Sequence, residues 1–284
     1  MALMERLKNH RLFRIILMAC LAAVILVRLG MPALTYIRKS ARYPAGSLSG
    51  SLPVLCYHCI REAPSGSDYS YLYVEPGEFS RQIAWLKGEG YRFLTPEEAW
   101  VWQQSADRGE TVDKAVLITF DDGYSDNYTN ALPILKEQSA KASLFMVAGK
   151  IGENNRLTEG ELREMAASGV FTLGSHGYWH QDLTALNDQE LADQLLLSRE
   201  ALSALAAEPV TSIAYPLGAC DARVAEIAGR YFDFGYLASP EKPPGPDKAK
   251  ASDTRNSLVI PRQGIFGYMD MAEFRLILGQ YFAY

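Results

Sequence analysis

The sequence predicts an α/β fold in which a parallel sheet is closed, or nearly closed, into a distorted (β/α)7-type barrel. Seven or eight short apolar segments alternate with amphipathic helical segments after residue 52, without an internal repeat. Right-handed crossovers return the chain beside the preceding strand, so this alternation favours one parallel sheet. The apolar segment at 115–120 runs directly into Asp121 and Asp122. Because such folds hold their functional residues at the carboxyl ends of strands, a site is expected there.

The first 42 residues are predicted to be a basic cytoplasmic tail followed by a signal-anchor helix. They contain eight Lys and Arg residues against one acidic residue, a net charge of +7. An uninterrupted apolar run of thirteen residues follows Arg14 and ends at Val27. A cleaved signal peptide is the alternative, but no convincing A-x-A cleavage site follows the run, so an uncleaved anchor is favoured. The basic tail then lies in the cytoplasm, and the remainder is periplasmic or extracellular.

Residues 43–52, rich in Pro, Gly and Ser, are predicted to be a tether, and residues 53–284 to be the catalytic domain. A total charge of −5 leaves −12 on residues 43–284, which disfavours nucleic acid as a partner. A monomer attached to the membrane by its N-terminal helix is expected. Cys56 and Cys59 form a CxxC pair, but no second pair completes a zinc site, and strand alternation separates their side chains. Buried free thiols are favoured over a disulfide.

The elements are predicted from apolar periodicity and helix-start signals. Thr158 with Glu161, and Asn187 with Glu190, have the spacing of capping boxes that begin helices. The predicted strands are 52–58, 91–94, 115–120, 142–147, 170–175, 211–215, 234–237 and 258–260. The predicted helices are 75–88, one opened by Pro96, 128–138 with an interruption near Pro133, 158–169, 187–205, 221–231 and 269–281.

Three of the four histidines follow predicted strands, namely His58, His176 and His180. The i, i+4 spacing of His176 and His180 is that of a helical zinc site, but Gly177 and the preceding strand place the pair on a loop. Side chains at one rim of a barrel can still converge on one ion. Two imidazoles and one carboxylate are a common catalytic zinc set. Taken alone, Asp-Asp-Gly is also an ordinary turn signal, so the combination of motifs carries the prediction.

The segments Thr119-Phe-Asp-Asp-Gly123 and Ser175-His-Gly-Tyr-Trp-His180 resemble the first two motifs of the NodB-homology polysaccharide deacetylases, carbohydrate esterase family four. Ala214-Tyr-Pro-Leu-Gly218 resembles their third motif. This resemblance implies that Asp121 is the catalytic base and that the other site residues hold a divalent metal, with Zn²⁺ favoured over Co²⁺ or Ni²⁺. The implied metal ligands are Asp122, His176 and His180. The resemblance also assigns the oxyanion contact to the backbone N–H of Leu217.

The sequence departs from the family pattern in two respects. Ala214 stands where the third motif often has an arginine. The fourth and fifth motifs, ending in Asp-Trp and Leu-x-His, are missing, and no histidine follows His180 to serve as the general acid of the last motif. The segment 55–58 is similar to the Tyr-His motif of the subgroup that deacetylates poly-β-1,6-N-acetylglucosamine. That likeness implies that a protonated His58 is the general acid, whereas a core histidine is the alternative. Arg262 is included among the substrate-side residues and is expected to replace the missing arginine by orienting Asp121.

Aromatic residues near the strand ends are predicted to offer flat faces to sugar rings, with barrel packing as the alternative role. They are Tyr124, Tyr178, Trp179 and Tyr215. Together these features predict a metal-dependent hydrolase that removes N-acetyl groups from an extracytoplasmic N-acetylglucosamine polysaccharide and releases acetate. A biofilm exopolysaccharide is the favoured substrate, and peptidoglycan or chitin oligomers are the alternatives. A weakened carbohydrate-binding relic of the same fold is the rival interpretation. A glycosidase is disfavoured because adjacent carboxylates rarely reach the required separation.

Overall fold

A computed structural model describes residues 51–206, 208–238 and 256–281. Contacts divide the chain into two units, Met1–Pro44 and Ala45–Tyr284, and the description below concerns the second. The predicted cytoplasmic tail and anchor lie outside the described residues. Within the described ranges, no helix combines the length and apolar character that a membrane span requires. The domain boundaries predicted at residues 42 and 52 stay predictions.

The described strands form one parallel sheet, as the sequence predicts. Its strands are β1 (Val54–Tyr57), β2 (Arg92–Phe93), β3 (Ala115–Asp122), β4 (Ala142–Met146), β5 (Phe171–Ser175), β6 (Ser212–Ala214), β7 (Phe234–Tyr236) and β8 (Gln263–Gly264). Their order is β7-β6-β5-β4-β3-β1-β8, and β2 pairs with β3 off this path. Because all the ladders are parallel, the carboxyl ends of the strands share one rim.

The sheet curls because the last segment of the chain forms backbone hydrogen bonds with both edges of the sheet, first with β7 and then with β1. Near Ile260 the chain pairs with β7 through Ile260 N–H to Gly235 C=O at 2.8 Å and Leu237 N–H to Ile260 C=O at 2.9 Å. A few residues later, β8 pairs with β1. This arrangement fits the predicted distorted barrel. The predicted strand at 258–260 is wrong in position, since Ile260 makes only a bridge and the strand is Gln263–Gly264. Pro261 has no N–H with which to continue a ladder at that point.

Side-chain alternation along the strands separates two apolar layers. On β3, Val116, Ile118 and Phe120 pack in the larger core cluster, where α-helical side chains cover the sheet. Ala115 and Leu117 belong to the smaller cluster, which also contains Phe145 and Tyr236. The smaller cluster therefore fills the barrel interior, and the odd-numbered residues of β3 face that interior.

Seven α-helices lie among the described residues. They are α1 (Pro76–Gly88), α2 (Pro96–Asp107), α3 (Leu132–Gln138), α4 (Glu159–Ala167), α5 (Asp188–Ser203), α6 (Ala222–Ala228) and α7 (Met271–Gly279). The capping boxes predicted for α4 and α5 are present. The predicted interruption near Pro133 is a π-helical turn, Asn127–Ala131, directly before α3.

Candidate metal centre and active site

The alternation of side chains along β1 and β3 places their candidate residues on the same face of the sheet. Val54 faces the barrel interior, so Cys56, and His58 just beyond the strand, lie on the same side two and four residues later. Asp121 faces the interior by the same rule and is only 2% exposed. The Cys56 thiol accordingly lies 3.5 Å from Asp121 Oδ2. The alternation that forms the barrel thus places β1 side chains beside the predicted base.

Asp122 reaches the same rim although alternation would turn it away from Asp121. Its φ of +73° is left-handed, which a non-glycine residue rarely adopts and which costs on the order of 1–2 kcal/mol. His180 has a φ of +56° and Leu217 a φ of +57°. Three predicted functional residues are therefore among the described non-glycine residues with a left-handed backbone. Such conformations persist where the surrounding structure enforces them.

The three predicted metal ligands come together. His180 Nε2 lies 3.3 Å from Asp122 Oδ1, and His176 Nε2 lies 3.7 Å from the same oxygen. One ligand atom from each residue lies within 4.8 Å of the other two. Tetrahedral coordination with metal–ligand bonds of about 2.0–2.2 Å places neighbouring ligand atoms about 3.4 Å apart. The residues therefore fit a divalent metal held by three side chains, with coordination positions left over.

A hydrogen bond fixes the tautomer of His176. Its Nδ1 lies 2.7 Å from the backbone oxygen of Ala214, which can only accept. Nδ1 must then carry the proton, and Nε2 presents its lone pair toward Asp122. Burial also lowers the pKa of His176, against the opposing effect of Asp121 and Asp122, so the ring lacks the second proton that would block ligation. Metal-binding histidines are commonly oriented by such a carbonyl contact.

Asp121 is held by Arg262. Two charge-assisted hydrogen bonds join them, Nη1 to Oδ1 at 2.7 Å and Nη2 to Oδ2 at 2.6 Å. Burial alone would raise the pKa of Asp121, but the charge and hydrogen bonds of Arg262 outweigh burial and hold that pKa well below its usual range. Arg262 also donates to Thr119 Oγ1 at 3.1 Å and to the Leu237 carbonyl at 2.7 Å. The side chain of Arg262 is 0% exposed, so it positions Asp121 and cannot contact substrate directly.

His58 lies at the rim beyond β1 and is partly exposed. Its backbone oxygen accepts from Asn127 Nδ2 at 2.9 Å, whereas its Nδ1 is buried and makes no hydrogen bond among the described residues. Burial lowers the pKa of His58, partly offset by the Asp121 and Asp122 carboxylates. Burial thus favours the neutral form of the imidazole. The general-acid role of His58 stays a prediction.

The segment Pro216–Gly218 forms a 3₁₀ turn at the same rim. Gly218 N–H donates to the Tyr215 carbonyl, and Ala219 N–H donates to the Pro216 carbonyl. Among the described backbone hydrogen bonds outside regular elements, none is donated by Leu217. Its N–H is thus available for the predicted oxyanion contact, which stays a prediction.

The four predicted aromatic contacts divide by exposure. Trp179 is 54% exposed and packs edge-on against Tyr178, with ring centroids 4.7 Å apart. Tyr124 is partly exposed. Tyr215 is fully buried, and its hydroxyl donates to the Leu258 carbonyl at 2.8 Å. The sugar-facing role predicted for Tyr215 is therefore wrong in this structure, because the strand directs its ring into the core.

Arg156 is a site residue that the sequence analysis missed. Its Nη1 donates to the Asp122 carbonyl at 2.9 Å, and its guanidinium lies 4.0 Å from the Tyr124 ring centroid. An antiparallel bridge between Tyr124 and Arg156 holds this loop against the end of β3. Arg156 therefore braces the strained backbone of Asp122. No local pattern marks it, since it comes from a loop 34 residues away in the sequence.

Comparison with known proteins agrees with this geometry. A family model described as polysaccharide deacetylase matches residues 108–231, which include all three metal-ligand candidates and Asp121. Over these residues the chain is similar to the polysaccharide deacetylase family. YxkH of Bacillus subtilis (strain 168), which carries polysaccharide deacetylase as a provisional name, is 38% identical over 167 residues. That match covers 59% of this chain and 57% of YxkH.

Two further relatives come from other bacteria. The poly-β-1,6-N-acetyl-D-glucosamine N-deacetylase of Staphylococcus aureus (strain MRSA252) is 30% identical over 152 residues, covering 48% of this chain and 51% of that protein. The deacetylase PplD of Streptococcus pyogenes, solved in complex with acetate, superposes with a TM-score of 0.68 at 28% identity. That superposition covers 79% of this chain and 96% of PplD. The chain spans only 51–57% of the length of the two curated relatives above.

Gly123 tests how tightly the candidate site constrains the backbone. Its φ is +71°, and an added Cβ would overlap the Met146 sulfur. We expect Gly123→Ala to lower the free energy of unfolding by about 2–4 kcal/mol, combining left-handed strain with overpacking. Gly109 has a φ of +74° but open space around it, so Gly109→Ala should show the strain alone. Denaturant unfolding of both variants measures the difference, and equal losses would contradict the packing argument.

Proposed function

We propose that the protein is a metal-dependent hydrolase that removes N-acetyl groups from an N-acetylglucosamine-containing polysaccharide and releases acetate. The observation that carries this proposal is the placement of Asp121, paired with Arg262, beside the Asp122, His176 and His180 group. His176 Nε2 lies 3.9 Å from Asp121 Oδ2, so base and ligand group share one space. The match of residues 108–231 to the polysaccharide deacetylase family model supports the same chemistry.

Asp121 is arranged to accept a proton from an attacking water. Its low pKa keeps it ionised, and the bidentate contact with Arg262 fixes its orientation. The same pairing makes it a weak base, so it requires water of raised acidity, which is the chemistry that a bound divalent cation supplies along with polarisation of the acetamide carbonyl. Zn²⁺ is the favoured metal because the ligand set is two imidazoles and one carboxylate.

His58 is the proposed proton donor to the departing amine. Burial lowers its pKa and so favours the neutral ring, and the proposal is that His58 gains its proton during turnover. A ring nitrogen of His58 lies within 4.8 Å of an Asp121 oxygen and of the Cys56 sulfur, which places it beside the proposed base. The backbone N–H of Leu217 is the proposed contact of the developing oxyanion. The predicted roles of these two residues rest on the family resemblance.

Arg262 weakens the rival interpretation as a non-catalytic relic. That interpretation rested on the family motifs that the sequence lacks. Arg262 supplies a bidentate guanidinium in place of the absent third-motif arginine. The buried pair holds Asp121 in an ionised and oriented state, which a purely structural relic would not require. A deacetylase with a rearranged site is the better account.

We propose poly-β-1,6-N-acetylglucosamine as the substrate, with peptidoglycan and chitin-like oligomers as alternatives. The Tyr57-His58 sequence and the similarity to the Staphylococcus aureus enzyme support this choice. Trp179, exposed next to His180, and Tyr124 are proposed to contact sugar rings. The N-terminal segment is proposed to anchor the protein, as a monomer, with residues 53–284 outside the cytoplasm. The basic tail and apolar run of the sequence support that location.

The proposal is tested by acetate release from the purified full chain. Defined β-1,6 and β-1,4 N-acetylglucosamine oligomers and peptidoglycan are incubated with the chain loaded with Zn²⁺, Co²⁺ or Ni²⁺. We expect release that a chelator abolishes and that added metal restores. Release that persists both after chelation and in Asp121→Asn would exclude the metal-hydrolase account. Acetate from β-1,4 oligomers alone would instead reject the proposed linkage.

A further inference from the structure

A second group of metal-ligating side chains lies next to the proposed active site. It consists of Cys56, His58 and Asp121, and one ligand atom from each lies within 4.8 Å of the other two. All three side chains face the barrel interior because side chains alternate between the two faces along β1 and β3. We call this group the thiolate cluster. It shares no residue with the Asp122, His176 and His180 group.

The distance between the sulfur and the carboxylate of the thiolate cluster suits coordination. Cys56 Sγ lies 3.5 Å from Asp121 Oδ2. A tetrahedral ion with a bond of about 2.3 Å to sulfur and about 2.0–2.2 Å to oxygen separates those two atoms by about 3.5 Å. Asp121 is already paired with Arg262, but a carboxylate has about four lone-pair sites, so two are still available. The sulfur and the carboxylate oxygen therefore already have the separation that a shared cation requires.

Two further observations point to a ligand. His58 Nδ1 is buried without a hydrogen-bond partner among the described residues, which is costly for a polar atom. His58 is also partly exposed, whereas Cys56 is 2% exposed, so a cation could enter past the imidazole. Cys59, three residues further on, is 0% exposed and does not belong to either candidate ligand group.

We propose that the thiolate cluster is a second, inhibitory site for a thiophilic divalent cation such as Cd²⁺ or excess Zn²⁺. On binding, the Cys56 thiol releases its proton to solvent and the sulfur joins His58 and Asp121 as a ligand. A sulfur ligand favours soft cations, whereas the first site offers only nitrogen and oxygen. The nearby Arg262 and a cation in the first site both repel a second cation, so this site fills at the higher concentration.

The consequence follows from the position of Asp121 Oδ2. This oxygen lies 3.5 Å from Cys56 Sγ and 3.9 Å from His176 Nε2, and is thus between the two groups. A cation in the thiolate cluster engages both the proposed base and the proposed proton donor. The inhibition rests on the proposed function, whereas the binding itself does not.

Cadmium binding to the full chain tests the site without an activity assay. The chain is first loaded with one equivalent of Zn²⁺ and then titrated with Cd²⁺, while the ultraviolet cadmium–thiolate absorption band is followed. The first group contains no sulfur, so it produces no such band. We expect the wild-type chain and Cys59→Ser to develop the band, and Cys56→Ser to lose it. Circular dichroism shows whether each variant is folded.

A second variant keeps the test decisive if Cys56→Ser does not fold. His58→Gln retains the thiol but removes a ligand, so Cd²⁺ should bind at least about tenfold more weakly, the lower end for disturbing a metal site. The absence of a band in the wild type, a full band in Cys56→Ser, or unchanged Cd²⁺ affinity in His58→Gln would each overturn the site. In parallel, excess Zn²⁺ should inhibit acetate release by the wild type and Cys59→Ser. A thiolate band without such inhibition would confirm binding and overturn only the inhibitory role.

Discussion

Asp121→Asn and Asp122→Asn are expected to separate catalysis from metal binding. Asp121→Asn should lower kcat by about 10²–10⁴-fold, the range typical for loss of general base catalysis, while one metal remains bound per chain. Asp122→Asn should lose metal affinity, because it removes a charged ligand from the three-residue group. Its residual activity should rise with added Zn²⁺, whereas that of Asp121→Asn should not.

Metal content after dialysis, together with acetate release, measures this separation. Asp121→Asn also leaves Arg262 without its full ion pair, so both assays belong at a temperature at which unfolding curves show the variants to be native. Equal loss of metal in both variants would contradict the division of roles and make Asp121 a ligand. Full activity in Asp121→Asn would remove it from the mechanism.

Arg262→Met is expected to have the largest effect on stability. It leaves Asp121 buried without its cation, and breaking a buried pair in this way costs about 3–5 kcal/mol. Arg230→Met provides the control, since its ion pair with Glu226 is exposed and such pairs contribute about 0–1 kcal/mol. Arg262→Lys keeps the charge but not the planar two-donor geometry, so it should restore only part of the stability and activity.

The loss caused by Arg262→Met should depend on pH. The folded-state pKa of Asp121 lies below its value in the unfolded chain, so the pairing stabilises the fold above the unfolded pKa of about 3.9. That stabilisation disappears as the pH falls through the lower, folded pKa. In Arg262→Met, burial instead raises the pKa of Asp121, and protonation then removes the unpaired charge. The free energies of unfolding of the wild type and Arg262→Met should therefore differ most at neutral pH and become similar in acid.

Urea unfolding between pH 3 and pH 8 measures this dependence. A pH-independent difference would mean that Arg262 stabilises the protein by packing against Phe145 and not through Asp121. The double variant Asp121→Asn/Arg262→Met completes a double-mutant cycle, which measures the coupling energy between the two side chains. A coupling energy near zero would contradict the buried-pair account.

Much of the fold could be predicted because its signals are local. The alternation of apolar strands with capped helices depends on neighbours two to four residues apart, and the sequence shows these directly. The last strand was placed too early because apolar character does not show that Pro261 interrupts a ladder. Tyr215 was misassigned for a related reason, since its position near a strand end does not reveal that its ring is buried.

The sequence by itself determined the residue types of the site and their order along the strands. Side-chain alternation explains why Cys56, His58 and Asp121 lie close together, because alternate residues of the neighbouring strands β1 and β3 face the same side of the sheet. The left-handed backbone of Asp122, the pairing of Arg262 with Asp121 and the contact from Arg156 were decided only by tertiary structure. Each depends on groups far apart in the sequence, where barrel closure sets the distance and burial sets the charge state. The direct pairing of β1 with β3 brings the Cys56 thiol beside the proposed base.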